Sequence, residues 1–231
     1  MNSKLFRALQ AFRAAQCPAA MVTDRTTGVQ ALVTADQVSG ELDLGEETLA
    51  GVRRLLAGDA SGEVDGLFVR VYGPPWTLVL VGAVHIAQAL APMAALAGFA
   101  VKVIDPRRAF ATASRFPGVE LIVEWPNEVL AATPPNARTA VVTLTHDPKI
   151  DDVGLIGALR SPAFFVGALG SSRTHARRKA RLVEAGFTDV DIARIAAPVG
   201  LDLGGRLPGE IAASIVAELV GARHGRPRQR P

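Results

Sequence analysis

Between residues 76 and 222, short runs of consecutive apolar residues alternate with segments in which apolar residues recur every three or four positions. The runs predict strands that are buried on both faces, and the wider spacing predicts amphipathic helices. Five strands are predicted, at residues 76–81, 101–104, 121–123, 140–144 and 163–166. Helices are predicted at 84–96, 128–132, 155–159, 172–185 and 210–220. This alternation predicts a parallel sheet flanked by helices.

The first part of the chain shows no such alternation. Its apolar spacing predicts helices at 5–12 and 46–56 and strands at 19–23, 29–33 and 64–72. Pro74 and Pro75 then interrupt the chain, because consecutive prolines cannot continue a ladder of hydrogen bonds. We therefore expect a small α+β module at residues 1–75, a Rossmann-like domain at 76–222 and a basic, disordered tail at 223–231.

The turn after the first strand of the second domain carries a dinucleotide-binding fingerprint without its central glycine. Gly82 stands at the tight turn, and Ala87 stands where the helix packs on the strand. Val84 occupies the position at which the backbone approaches a pyrophosphate. Its β-branched side chain obstructs that approach and resists the positive φ angle that glycine permits. The turn therefore supports the fold and disfavours ordinary NAD(P) binding.

The net charge of +3 does not indicate nucleic-acid binding, because of where the charges lie. Four of the 25 basic residues are arginines that follow Glu218, the last acidic residue, so the rest of the chain carries 21 basic against 22 acidic residues. A short end rich in arginine, glycine and proline is more typical of a solvated tail than of a binding arm.

Two features bear on the location of the protein. No charged residue lies between Arg70 and Lys102, but the prolines in this stretch and the change of pattern at Gly82 favour a buried strand and helix over a membrane span. Cys17 is the single cysteine; it excludes an intrachain disulfide and is expected to be a buried, structural thiol. We expect a cytoplasmic protein without a membrane span.

Polar loops follow several of the predicted strands and should meet at the carboxyl edge of the sheet, where open α/β sheets bind ligands. Asp105 follows the glycine turn by about 20 residues, where a partner of a ribose hydroxyl belongs. Arg107 is a candidate for a phosphate contact. The alternative for Asp105 is a cap of the turn at Pro106.

Two later loops contain glycine and charged residues. Gly170, Ser171 and Arg173 open a basic helix, whose free amide groups favour anions; a serine-capped helix with solvated arginines is the alternative. In the loop before the final helix, Asp202 is a candidate for a polar ligand contact, and a flexible connector is the alternative there.

Histidines and carboxylates also occur at the strand ends. Six of them invite a metal site: His85, His146, His175, Asp147, Asp151 and Asp152. They lack a tight ligand spacing, so hydrogen bonds to an organic ligand or a satisfied turn are favoured for residues 145–147. No nucleophile, base and orienting group form a convincing catalytic triad.

The motifs together resemble the XdhC/CoxI family over roughly residues 76–222. They are Val81-Gly82-Ala83-Val84-His85-Ile86-Ala87-Gln88-Ala89-Leu90, Ile104-Asp105-Pro106-Arg107, Leu144-Thr145-His146-Asp147, Gly167-Ala168-Leu169-Gly170-Ser171 and Gly200-Leu201-Asp202. The resemblance implies a maturation factor that binds molybdenum cofactor, assists its sulfuration by a cysteine desulfurase and delivers it to a hydroxylase apoenzyme such as xanthine dehydrogenase or carbon monoxide dehydrogenase.

On this resemblance the chain is expected to be a non-catalytic chaperone for molybdopterin or its cytosine dinucleotide form rather than a turnover enzyme. The cofactor site is expected to contain Gly82, Val84, His85, Asp105, Arg107, His146, Asp147, Gly170, Ser171, Arg173 and Asp202, with no metal ligands and no catalytic residues. An NAD(P)-dependent oxidoreductase and a nucleotide-sensing regulator are the alternatives, and a homodimer is left open.

Overall fold

The structure is a computed structural model that describes residues 3–226, and the chain forms two compact units that meet in sequence between Pro74 and Pro75. Within the described residues, no helix combines the length and the apolar character needed to cross a membrane.

The first unit is a five-stranded antiparallel sheet with two helices. Its elements are α1 (Ser3–Ala14), β1 (Ala19–Thr23), β2 (Gln30–Val33), β3 (Val38–Gly40), α2 (Glu46–Ala57), β4 (Gly62–Val64) and β5 (Leu67–Tyr72). The strands lie in the order β3-β2-β1-β5-β4. Alternate residues of β1 serve two small cores: Ala20 and Val22 belong to one with Val52 of α2, and Ala19 and Met21 belong to one with Leu9 of α1.

Two details of the first unit differ from expectation. The strand predicted at 64–72 is part of a hairpin, because Asp65 and Gly66 adopt positive φ angles and turn the chain between β4 and β5. Cys17 is exposed rather than buried, because it lies in the surface turn between α1 and β1.

The second unit is a parallel sheet with helices on both faces, as predicted, but it has six strands rather than five. Its elements are β6 (Trp76–Val81), α3 (His85–Leu96), β7 (Phe99–Ile104), β8 (Glu120–Ile122), α4 (Pro126–Ala132), β9 (Thr139–Thr143), α5 (Pro148–Leu159), β10 (Phe165–Ala168), α6 (Ser172–Glu184), α7 (Asp189–Ala193), β11 (Ile195–Ala196) and α8 (Pro208–Arg223). The sixth strand, β11, escaped prediction because two residues are too few to show a repeat.

Strand β6 explains the uncharged run in the sequence. Leu78 and Leu80 face a core that includes residues of α3 and α8, whereas Val79 and Val81 face a core that includes residues of α5 and α6. A central strand covered on both faces has no polar side, which is why its apolar residues are consecutive.

The last helix continues to Arg223, the first residue of the predicted tail. Its guanidinium lies 5.1 Å from the centre of the Trp76 ring and 5.9 Å from that of Phe99. Residues 227–231 of the predicted tail lie outside the described residues.

The strand order of the second unit is β11-β10-β9-β6-β7-β8. Successive strands are added on one side of β6 as far as β8, and the chain then crosses to the other side to form β9. This is the strand order of the dinucleotide-binding fold. The place where the chain changes sides is called the switch point, and ligands of this fold lie at the carboxyl ends of the two strands that flank it. Here those strands are β6 and β9.

The two strands approach closely where they end. Gly82, which follows β6, has a φ angle of 116°, and a Cβ atom there would overlap Cγ2 of Thr145, which follows β9. Only glycine therefore fits at this point without displacing the neighbouring turn.

We expect Gly82→Ala to lower the melting temperature much more than Gly118→Ala. Both residues have positive φ angles, at which a non-glycine residue costs about 1–3 kcal/mol, but a Cβ at Gly118 meets no atom within 4 Å. Thr145→Ser removes the overlapping methyl group and should restore part of the loss in the Gly82→Ala background. Equal losses at the two glycines, measured by thermal unfolding, would contradict the close approach.

Candidate functional site

Asp105, at the end of β7, holds the turn that contains Gly82. Its side chain is fully buried. Oδ2 accepts a hydrogen bond from the Ala83 N–H at 2.7 Å, and Oδ1 accepts one from the Arg107 N–H at 2.9 Å. The guanidinium of Arg107 donates to both oxygens, from Nε at 2.9 Å and from Nη2 at 2.7 Å. Four donors occupy the carboxylate, so a ribose hydroxyl reaches it only if Arg107 moves.

These donors also determine the ionisation of Asp105. Burial by itself would raise the pKa of the carboxyl, but the hydrogen bonds from Arg107 and Ala83 outweigh it and hold the pKa below its usual value. The same pairing raises the pKa of Arg107. The two residues therefore form a stable ionic support for the glycine turn.

Arg115 supports the same turn from the loop after β7, and the sequence analysis missed it. Its Nη1 donates to the Ala83 carbonyl at 2.9 Å and to the Phe110 carbonyl at 2.6 Å, while Nη2 donates to Oε1 of Gln88 in α3 at 3.0 Å. Nothing in the local sequence distinguishes this arginine from a solvated one, because the Ala83 carbonyl and the Gln88 side chain that it contacts lie about 30 residues away along the chain.

Helix α3 begins directly at the switch point. Val84 is its N-cap residue, with φ of −92° and ψ of 173°, and no side chain caps the helix. The valine therefore does not need a positive φ angle, contrary to the sequence-based expectation; its side chain is half-buried and packs against the core. The first turn of α3, which begins with the exposed His85, offers amide groups and the positive end of the helix dipole to an anion.

The turn after β9 is organised by Asp151 of α5, which is buried. Oδ1 accepts from the Thr145 N–H at 3.1 Å and from its hydroxyl at 2.7 Å, and Oδ2 accepts from the His146 N–H at 3.0 Å. His146 has a φ angle of 64°, which is uncommon for a residue other than glycine. Its side chain is exposed at the edge of the sheet.

A cleft of about 630 Å³ lies on the β9 side of the switch point. It is lined by one residue of α3, residues of the turns after β9 and β10, the loop between β11 and α8, and the first turns of α6 and α8. Among the predicted site residues it brings together His146, Gly170 and Asp202. Ile86, Leu169 and Leu201 give it an apolar wall. Its size suits a small organic ligand.

The remaining predicted residues lie outside the lining of this cleft. Asp147 caps α5 by accepting from the Lys149 N–H at 3.0 Å, and Ser171 caps α6 by accepting from the Thr174 N–H at 3.3 Å. Arg173 is exposed in the first turn of α6. The turn at Gly82, the helix caps at Asp147 and Ser171, and the cleft all lie at the carboxyl edge of the same sheet. This is where the strand order places a ligand site.

Two other kinds of candidate site, a metal cluster and a larger cavity, would compete with this cleft within the described residues. Throughout residues 3–226, His, Cys, Asp and Glu side chains nowhere form a group of three placed to hold a metal ion. A larger cavity of about 1050 Å³ lies along the β11 edge, next to α7 and the C-terminal half of α8. The smaller cleft is the better candidate site, because it lies at the switch point.

Comparison with known proteins yields a family match. A family model described as the XdhC Rossmann domain matches residues 78–219. A solved structure described as a xanthine dehydrogenase from Bacillus halodurans superposes with a TM-score of 0.73 at 26% identity, covering 98% of this chain and 67% of that one.

Three curated proteins are also similar in sequence. One from Bacillus subtilis, named as a probable xanthine dehydrogenase subunit, is 32% identical over 162 residues, which are 70% of this chain and 47% of that protein. The molybdenum cofactor insertion chaperone PaoD of Escherichia coli is 38% identical over 85 residues, 37% of this chain and 27% of PaoD. The uncharacterized protein YqeB of Escherichia coli is 31% identical over 74% of this chain and 31% of its own length. The chain thus spans less than half the length of these relatives.

We expect Asp105→Asn to lower the melting temperature at pH 7 and to flatten its pH dependence in acid. A lowered pKa means that Asp105 stabilises the fold above the unfolded pKa of about 4, and that this contribution disappears as pH falls through the folded pKa. The loss at pH 7 should be about 1–3 kcal/mol, since the Ala83 N–H and the Arg107 guanidinium lose a charged acceptor.

Thermal unfolding at pH 7 and pH 3 measures both effects. Asp202→Asn, which alters an exposed carboxylate of the same domain, is the control. If Asp105→Asn and Asp202→Asn follow the same pH dependence, the ionic support of the glycine turn is not as described.

Proposed function

Because this chain belongs to the XdhC Rossmann domain family, we propose that it binds molybdenum cofactor and delivers it to a molybdenum hydroxylase of the xanthine dehydrogenase type. The observation that carries this proposal is the cleft at the switch point, whose lining residues all lie within the range that the family model matches. The similarity to PaoD, named for molybdenum cofactor insertion, supports molybdenum cofactor as the ligand of the cleft.

The cleft and its surroundings suit a pterin that carries a phosphate. The phosphate lies at the start of α3, where no side chain caps the helix and the amide groups face an anion. The pterin lies against the apolar wall of Ile86, Leu169 and Leu201, while His146 and Asp202 hydrogen-bond to its polar edge. Arg173 adds positive charge at the rim. Gly82, Asp105 and Arg107 maintain the turn that makes this approach possible.

The cargo has two possible forms in this proposal. Molybdopterin fills the cleft alone, whereas its cytosine dinucleotide form extends across Gly82 towards Arg107 and the end of β7. In either form the chain holds the cofactor while a cysteine desulfurase sulfurates it, and a carbon monoxide dehydrogenase type of client is included. In this proposal the chain acts as a chaperone in the cytoplasm rather than as a turnover enzyme.

The first test is direct binding. Under anaerobic conditions the purified protein is incubated with molybdopterin or with the cytosine dinucleotide form, separated from free ligand, and the retained pterin is quantified by mass spectrometry. We expect retention of at least one form in a fixed proportion to protein. Retention of neither form would overturn the proposal. Saturable binding of NAD or NADP in a parallel titration, without pterin retention, would identify a nicotinamide-dependent protein instead.

We expect Arg173→Gln to reduce pterin retention and Arg160→Gln to leave it unchanged. Both changes remove one exposed positive charge, but Arg173 lies in the first turn of α6 beside the cleft, whereas Arg160 lies at the C-terminal end of α5, at the opposite edge of the sheet. Losing one charge contact with a phosphate should weaken binding by about tenfold, the equivalent of about 1.4 kcal/mol. Equal retention by the two variants would show that Arg173 makes no charge contact with the phosphate at the start of α3.

A further inference from the structure

A buried ion pair links the two helices behind the cleft. Asp151 of α5 and Arg178 of α6 have side chains that are each only 2% exposed, and Nη2 of Arg178 lies 3.9 Å from Oδ2 of Asp151. Burial raises the pKa of Asp151 and lowers that of Arg178, so both charges are held against a desolvation cost. Such pairs are weak evidence for stability, because apolar side chains of similar size often serve as well.

Each partner also holds a turn of the cleft. Asp151 accepts the hydrogen bonds from Thr145 and His146 that keep His146 at its positive φ angle. Arg178 donates from Nη2 to the Leu169 carbonyl at 3.1 Å, immediately before Gly170. His146 lines one wall of the cleft, and Leu169 and Gly170 line the next. The pair therefore connects the turns after β9 and β10.

Arg178 uses only part of its guanidinium group to hold the turn after β10. Its Nε and Nη1 are buried and have no hydrogen-bond partner among the described residues. A buried donor without a partner costs about 1–3 kcal/mol, so a packing role would be served better by an apolar residue. Arg178 also shares a helix face with the buried Leu182, four residues later.

We propose that Asp151 and Arg178 are a positioning pair that sets the spacing of the His146 turn and the Leu169–Gly170 turn across the cleft. Neither residue lines the cleft, so both act through the turns that they hold. The proposal rests on the proposed function only in taking this cleft as the ligand site; the coupling of the two turns is a property of the protein alone.

The same two helices provide a matched control. Arg181 of α6 pairs with Asp152 of α5 through Nε and through Nη2, the latter at 3.1 Å, but its side chain is 38% exposed and the pair holds neither turn. If the Asp151–Arg178 pair only linked α5 to α6, the Asp152–Arg181 pair would serve the same purpose, and loss of either pair would have the same effect. A positioning role applies only to Asp151 and Arg178.

The test is amide hydrogen exchange of the ligand-free protein, followed at residues 144–147 and 168–172. We expect Arg178→Met and Asp151→Asn each to accelerate exchange in both segments by about tenfold, as for the loss of roughly one hydrogen bond. Arg178→Lys, which keeps the charge near Asp151, should restore slow exchange at 144–147 more than at 168–172. Asp152→Asn should leave both segments unchanged.

Several outcomes would overturn the proposal. Acceleration of one segment only, by either variant, would show that the turns are held separately. The same acceleration in Asp152→Asn would show a general helix link. If Arg178→Met and Asp151→Asn do not fold, Thr145→Val decides the question, because it removes one hydrogen bond to Asp151 from a half-buried position. This variant should accelerate exchange at 168–172 as well as at 144–147. Acceleration at 144–147 alone would refute the coupling.

Binding then separates this inference from the proposed function. With molybdopterin as the probe, Asp151→Asn and Arg178→Met should each retain it about tenfold more weakly than Asp152→Asn, because loosened turns must be ordered on binding. If the exchange results hold and the wild type retains neither molybdopterin nor its cytosine dinucleotide form, the positioning pair stands and the proposed function fails. If the wild type and these variants bind alike, the pair does not position the site.

Discussion

The site depends on the close approach of two turns at the centre of a parallel sheet. Strands β6 and β9 are neighbours, and Gly82 meets Thr145 just beyond their ends, where a Cβ atom has no room. A buried carboxylate secures each turn by accepting main-chain hydrogen bonds: Asp105 accepts that of Ala83, and Asp151 accepts those of Thr145 and His146. Turns held in this way can present backbone amides to a ligand without rearranging.

This construction explains why side chains that look like ligand contacts serve the scaffold. Asp105 is occupied by Arg107 and Ala83, and Asp147 and Ser171 cap helices. What remains for a ligand is the uncapped start of α3, the apolar wall of the cleft and a few exposed polar groups. Under the proposed function, such a surface would hold and orient a cofactor through backbone amides and apolar contacts.

Much of the fold could be predicted, because the central strands β6, β9 and β10 are buried on both faces and show as unbroken apolar runs. The exceptions have local causes: β11 is too short to show a repeat, and the hairpin at Asp65 and Gly66 lies inside one alternating run. The candidate site was predicted less completely. His146, Gly170 and Asp202 lie together in the lining of the cleft. Arg115 and Arg178 were not predicted, because Arg115 contacts Ala83 and Gln88 far away along the chain and Arg178 sits within a basic run.

The sequence by itself determined the alternation of strands and helices, the position of the glycine turn and the family resemblance, since each is written in residues that are neighbours along the chain. Only the tertiary structure decided which polar residues face the cleft and which form hydrogen bonds that hold its turns in place. A carboxylate such as Asp105 or Asp151 has the same local sequence whether it is free or saturated. For Asp105 that state depends on the nearby Arg107 and on the Ala83 N–H, which lies 22 residues away along the chain. The Ala83 donor comes into reach only when β6 and β7 have paired in the parallel sheet.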